Sequence, residues 1–207
     1  MIAIIDYKAG NLTSVARAVN YLGFSCKITN DRKDIMASDH IIFPGVGAAG
    51  KAMTNLADLG LDRMLNEAYR AAKPILGICL GTQIIFEHSE EDDADCLGLL
   101  PGSVKRFPDL LYENGMRLKI PHMGWNNVRW VREHPVFASL PDNLQYYFVH
   151  SFYPEPNDEG LGVGKTTYGI EFSSAVAKEN LVAVQFHPEK SGQPGLKILS
   201  NFCLWRP

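Results

Sequence analysis

In Ile75-Leu76-Gly77-Ile78-Cys79-Leu80-Gly81-Thr82-Gln83 an apolar run leads into a single cysteine, with a glycine two residues to either side. Ile75 to Ile78 reads as a buried strand, and Leu80 to His88 as the start of a helix. G-x-C-x-G at such a junction is the thiol form of the nucleophile elbow. The strand must reverse sharply into the helix, and residues without a Cβ let the backbone pass close to itself. The sulfur of Cys79 is thereby left at the apex, at a helix N-terminus whose free N–H groups favour thiolate over thiol. The N–H of Leu80 points where an oxyanion would form. A small buried cysteine in a strand–helix turn would look the same in isolation, so the rest of the chain has to decide.

At the start of the chain, Ile2 to Ile5 reads as a buried strand and Asp6 to Asn11 as the turn after it. Leu12, Val15, Ala16, Val19 and Leu22 recur at helical spacing, and Gly23 stands where a helix cap belongs. Phe24 to Thr29 and His40 to Phe43 are two further strands. Pro44-Gly45-Val46-Gly47 is a loop, followed by one long helical stretch that reaches Tyr69 to Ala72 and is ended by Pro74. Strands alternating with helices predict a parallel sheet. Beyond His88 the segments shorten. Glu90 to Asp93 reads as a solvated acidic turn, and Ser103–Phe107, Arg117–Ile120, Asn126–Val131 and Gln145–Val149 read as short strands. A hairpin joins Ser174–Ala177 to Leu181–Phe186, and a helix over Leu196–Leu204 closes the chain. The expected architecture is α/β: an open, mostly parallel sheet flanked by helices, in one domain over residues 1–207, with an added antiparallel element in the second half.

A chain of 207 residues, 46% hydrophobic and 21% charged, suits a globular domain with a substantial core. A net charge of -3 offers no global attraction to nucleic acid or an anionic membrane, and no apolar run approaches membrane-spanning length. The N-terminus is too short and uncharged for a signal peptide. Four cysteines without C-x-x-C spacing imply neither a disulfide nor a metal site and predict a reducing cytoplasm.

Gln185-Phe186-His187-Pro188-Glu189 ends the Leu181–Phe186 strand. In extended chain, residues two apart point the same way, so His187 and Glu189 emerge side by side at a strand tip. Sites in open parallel sheets lie beyond those tips. A carboxylate beside an imidazole fixes its tautomer and supports its charge, as a base serving a thiol requires. Gly45 and Gly47, directly after a strand, let backbone N–H groups turn towards a bound oxygen and would complete a two-donor oxyanion hole with Leu80. The same loop, Gly45-Val46-Gly47-Ala48-Ala49-Gly50, is also a literal dinucleotide fingerprint. That motif wants an acidic residue at the next strand's tip, where Ile78 and Cys79 stand instead, so no nucleotide cofactor is expected. His122 and His150 lie in aromatic-rich loops, where a buried, hydrogen-bonded histidine is the default.

Gly-Ile-Cys-Leu-Gly-Thr-Gln at 77–83 with His187-Pro188-Glu189 resembles the class I (triad) glutamine amidotransferases. Asp6-Tyr7-Lys8-Ala9-Gly10-Asn11-Leu12, Pro44-Gly45-Val46-Gly47 and Pro121-His122-Met123-Gly124-Trp125-Asn126 bring the resemblance closest to the glutaminase subunits of imidazole glycerol phosphate synthase. It runs from the first strand to the last helix.

The resemblance implies a flavodoxin-like fold and hydrolysis of L-glutamine without a metal or cofactor. It implies Cys79 as nucleophile, His187 as general acid and base, and Glu189 as its orienting carboxylate. Val46 and Leu80 would supply oxyanion N–H groups; Gly45, Gly47, Gln83, Ser151 and Phe152 would border the glutamine head group. Pro121, His122, Met123, Trp125 and Tyr147 would face a (β/α)₈ barrel cyclase that takes up the ammonia in histidine synthesis. No contact with nucleic acid or membrane is implied. Thr82 and Ala49 depart from the family, which commonly has a larger apolar residue and an aromatic there. A synthase of another pathway, or a free-standing cysteine hydrolase, remains the alternative.

Overall fold

The computed structural model describes residues 1–141 and 144–207. Four strands open the chain: β1 (Ile2–Ile5), β2 (Cys26–Thr29), β3 (His40–Gly45) and β4 (Ile75–Cys79). They join Leu181–Val184 in a parallel array, ordered Leu181–Val184, β4, β3, β1, β2. Beyond Leu181–Val184 the sheet continues antiparallel through Ile170–Lys178, Gly162–Tyr168 and Arg129–Trp130.

Helices cover both faces, so the central strands are apolar on both sides. Period-two alternation then divides each strand between two cores. Ile2, Ile4, Ile42, Leu76, Ile78, Val182 and Val184 pack with α1 (Leu12–Tyr21) and the last helix. Ala3, Ile5, Ile41, Phe43, Ile75, Leu181 and Ala183 pack on the opposite side, against α2 (Arg32–Ala37), α3 (Ala49–Leu59) and α4 (Leu61–Arg70).

Several elements differ from expectation. α2 is short, and its signal is its Asp31 cap, whose carboxylate accepts from the Lys33 and Asp34 N–H groups. The long stretch before Pro74 is two helices, broken at Gly60, whose φ of 66° ends one and opens the next. The helix expected from Leu80 to His88 is only α5 (Leu80–Gln83). It stops because the chain folds back on it: the N–H groups of Leu97, Gly98, Leu99 and Leu100 take the carbonyls of Ile84, Phe86 and Ile85. Arg117–Ile120 contributes only a two-residue pair, Tyr112–Glu113 with Met116–Arg117. Asn126–Val131 is divided between His122–Asn127, paired with Gln145–His150, and Arg129–Trp130 on the main sheet. A four-stranded antiparallel-rich sheet of Phe152–Pro156, Gly102–Arg106, His88–Ser89 and Ala94–Asp95 is larger than the single added element expected. The final helix, α6, begins earlier, at Gly192, and runs to Leu204.

Candidate active site

Register brings the chemistry together. In the parallel array Val184 lies opposite Ile78, and Gly45 opposite Cys79. The tips of β3, β4 and Leu181–Val184 therefore end at one level, with Cys79 between the Gly45–Gly47 loop and the His187 turn. A crevice of 390 Å³ opens there, lined among others by Val46, Gly47, Cys79, Leu80, Gln83 and His187. A larger cavity of 880 Å³ by Trp130 and His134 shares no lining residue with it and holds no thiol.

Cys79 has φ 55° and ψ -108°, outside the common regions for a side-chain-bearing residue. Such a backbone costs on the order of 1–3 kcal/mol and persists only where its surroundings enforce it. Here they do. A Cβ on Gly81 would stand 1.9 Å from the Phe43 carbonyl oxygen, and one on Gly77 2.9 Å from the Ala183 Cβ. The turn is pressed against β3 on one side and Leu181–Val184 on the other, and Thr82 stitches it down by donating to the Val184 carbonyl at 2.6 Å. Thr82 is thus a polar fastening in place of apolar bulk. Ala49, the other departure, is wholly buried at the start of α3.

His187 Nδ1 lies 2.8 Å from Glu189 Oε1, and the two side chains are only 2% and 1% exposed. A carboxylate only accepts, so Nδ1 carries the hydrogen. Burial works against a charge on His187, but the nearby Cys79 sulfur and the Glu189 carboxylate together outweigh it and raise the imidazole to about 9. Among the described residues, His187 Nε2 and Glu189 Oε2 have no hydrogen-bond partner although both are buried. The imidazole therefore has one nitrogen anchored and the other free beside the sulfur. The sulfur itself receives the Gln185 amide at 3.8 Å and lies 3.9 Å from the Val149 carbonyl.

The family known as glutamine amidotransferase class-I matches residues 3–205. Imidazole glycerol phosphate synthase subunit HisH of Aromatoleum aromaticum is 48% identical over 100% of this chain and 99% of that protein. The HisH subunit of Desulfovibrio desulfuricans is 50% identical over 98% and 93%. The chain belongs to the HisH family of class I glutamine amidotransferases. Its fold is shared by a solved glutamine amidotransferase (TM-score 0.75, 15% identity, 98% of this chain and 100% of that one). PurLQS from Thermotoga maritima is equally close in fold (TM-score 0.74, 15% identity, 98% and 97%).

In this amidotransferase the remaining expected residues fall in different places. Val46, Gly47, Leu80, Gln83, Ser151, Phe152 and Pro121 border the crevice. Gly45 does not border it; it sits behind, where a Cβ would be 1.9 Å from the Tyr7 hydroxyl. Gln83 is engaged within the protein, its amide donating to the Phe152 carbonyl at 2.9 Å and to Gln185 at 3.1 Å. Met123 and Trp125 are 62% and 54% exposed. His122 is not exposed, which corrects its assignment to a partner surface: its ring is buried between Phe148 and Tyr168. Tyr147 is half-buried and lies edge-on to Trp125.

Besides Gln185 on the sulfur, four contributors escaped sequence reasoning. Asn11 donates to Glu189 Oε1 at 3.3 Å, and Ser191 holds the His187 backbone by donating to its carbonyl at 2.6 Å. Tyr7 lies fully buried, and burial with the nearby Cys79 pushes its hydroxyl far up. The fourth is the acidic turn, which is not merely solvated. Glu91 Oε2 accepts from the Ala49 N–H at 2.9 Å and Asp92 Oδ2 from the Gly50 N–H at 3.2 Å. Two carboxylates thus occupy the helix N-terminus where the glycine fingerprint would have put a pyrophosphate. Glu91 also borders the crevice, and burial there pushes its carboxyl up, against the pull of the Ala49 N–H. Among the described residues no group of three or more His, Cys, Asp or Glu could hold a metal, and no helix is long and apolar enough to cross a membrane.

Proposed function

We propose that this chain is the glutaminase subunit of an imidazole glycerol phosphate synthase, in which Cys79, His187 and Glu189 hydrolyse the side-chain amide of L-glutamine. The observation that carries the assignment of roles is the buried His187–Glu189 pair, 2.8 Å long, whose free nitrogen shares the crevice with a strained cysteine. Cys79 thiolate attacks the amide carbon, and backbone N–H groups at Leu80 and Val46 receive the oxyanion. Imidazolium at His187 gives the Nε2 proton to the departing nitrogen, ammonia leaves, and a thioester remains. The neutral ring then takes a proton from water, which cleaves the thioester and frees glutamate. Two modest barriers replace one high one. Glu91, the acidic residue bordering the crevice, suits the substrate's α-ammonium group.

Ammonia released into water is protonated and ceases to be a nucleophile, so the product has to pass directly to a second active site. A (β/α)₈ cyclase is the partner this reading assigns, docked where Met123 and Trp125 expose apolar surface and where Val46 and Pro121 form the crevice rim. The pair works in the cytoplasm, consistent with four free cysteines. Two measurements test the proposal. A diazoketone analogue of glutamine should add one equivalent of mass to the protein and none to Cys79→Ala; labelling elsewhere, or none, refutes the triad. Trp125→Ala should weaken binding of the cyclase subunit at least about tenfold, as loss of an aromatic anchor does; unchanged affinity would move the interface elsewhere.

A further inference from the structure

From the crevice floor, which His150 helps to line, a row of side chains that the reaction above does not use runs into the core. His122 and His150 face each other across the His122–Asn127 and Gln145–His150 ribbon, with His122 Nδ1 2.9 Å from His150 Nε2. His150 Nδ1 lies 2.7 Å from the Phe152 carbonyl oxygen. At the other end, Asn126 Nδ2 lies 3.2 Å from His122 Nε2 and 2.9 Å from the Thr167 carbonyl oxygen.

The direction of every bond follows from its ends. A carbonyl can only accept, so His150 Nδ1 carries hydrogen and donates to Phe152. Burial pushes His150 down to about 3, helped by the neighbouring His122 and by His187, so the ring is neutral and its Nε2 must accept. His122 then donates from Nδ1 and, pushed by burial to about 4, is also neutral, leaving Nε2 to accept from the Asn126 amide. Asn126 has its second N–H on Thr167. Asn126 Oδ1 accepts from the Asn127 N–H at 2.8 Å, and every N–H and ring nitrogen of the line is engaged. The rings around the pair are Phe107, Phe148, Phe172 and Tyr168, which offer no charge in exchange.

The line ends on an atom that matters. The Phe152 carbonyl also accepts from Gln83, and the Ser151 carbonyl from the Phe107 N–H at 3.0 Å. Ser151, Phe152 and Gln83 all border the crevice. We propose that Asn126, His122 and His150 are positioning residues: a one-way hydrogen-bond line that sets the Ser151–Phe152 corner against which glutamine binds. This rests on the glutaminase reading; the line is tied to substrate affinity and not to the bond-breaking step, because His150, which itself borders the crevice, gives its last hydrogen bond to the Phe152 carbonyl and none to the sulfur.

Two experiments test it. Nitrogen-15 NMR of the intact chain should show both rings neutral between pH 6 and 8 with hydrogen on Nδ1 and a bare Nε2; an Nε2–H tautomer on either ring overturns the proposal, whatever the enzyme does. In labelling by the diazoketone analogue, His122→Phe keeps an aromatic ring between Phe148 and Tyr168 but removes the donor. Its half-saturating concentration should rise about tenfold, the effect of one lost buried hydrogen bond, with the maximal rate changed less than about threefold. His122→Asn, whose amide N–H stands near the place of Nδ1–H, should recover most of that loss. An unchanged half-saturation in His122→Phe, or an equal loss in both variants, defeats the proposal. Failure of the wild-type chain to label at Cys79 would instead defeat the glutaminase reading.

Discussion

A cysteine with φ near 55° is a poor backbone unit and a good nucleophile mount. Its strain is held by neighbours that have no room to yield, the nearest being the Phe43 carbonyl against Gly81. Gly81→Ala should therefore distort the elbow and cost several kcal/mol in a denaturant titration, although helix propensity alone would predict a gain. Gly45 is constrained differently, by a side chain: the Tyr7 hydroxyl lies where its Cβ would go. Gly45→Ala should be destabilising in the wild-type background and partly rescued by Tyr7→Phe, which deletes the clashing oxygen; additive losses in a double-mutant cycle would contradict this. Glu189→Gln keeps the shape but offers His187 Nδ1 an amide, which weakens the hold on the ring and on its positive charge. The glutaminase rate should fall by about 10² to 10⁴ with half-saturation little changed, measured as ammonia release with the partner present.

At the scale of elements, α3 has no cap of its own, since Ala48 precedes it without a polar side chain. The cap arrives from the acidic turn 42 residues on, through Glu91 and Asp92. Asp92→Ala should lower stability by about 1 kcal/mol, as loss of a helix cap does, and leave substrate affinity intact. Glu91→Ala should lose a comparable amount and also raise the half-saturating glutamine concentration, because the same carboxylate borders the crevice; equal kinetics for the two variants would separate Glu91 from the substrate. Local sequence conveys none of this. Glu90-Glu91-Asp92-Asp93 looks like any solvated run, and its role depends on where the chain turns after α5. The shortness of α5 is hidden for the same reason: nothing in Ile84, Ile85 and Phe86 marks a helix end, and it is the N–H groups of Leu97 to Leu100 that take their carbonyls.

Across the whole molecule, titratable groups pull stability in two directions. His122 and His150 are buried as neutral rings, at about 4 and about 3, below the ordinary histidine value. The unfolded chain binds their protons first, so their contribution is full above about pH 6.5 and is lost as pH falls through the acid range. His187 is shifted the other way, to about 9, so its contribution is full below about pH 6.5, declines as pH rises from there and is gone above about 9. The denaturation midpoint should be highest near neutrality and fall on both sides. His150→Asn should flatten the acid limb by about 1.4 kcal/mol per pH unit between roughly pH 6 and 4; an unchanged slope would mean that His150 is already protonated in the folded protein.

The parallel α/β plan, the cysteine elbow and the His187–Glu189 pair were legible along the chain, because each is written in neighbours a few residues apart: apolar alternation, flanking glycines, and side chains two apart on extended backbone. Asn11 on Glu189, Gln185 on the sulfur, Glu91 over α3 and the inward turn of His122 were not, since each joins segments tens of residues distant. His122 illustrates the difference: a strand shows that it and Met123 face opposite ways, but which face meets the core is set by the ribbon's pairing with Gln145–His150. Spacing along a backbone specifies what a residue can do next to its neighbours. Strand register, a property of distant segments docking over a shared core, specifies which of those residues meet.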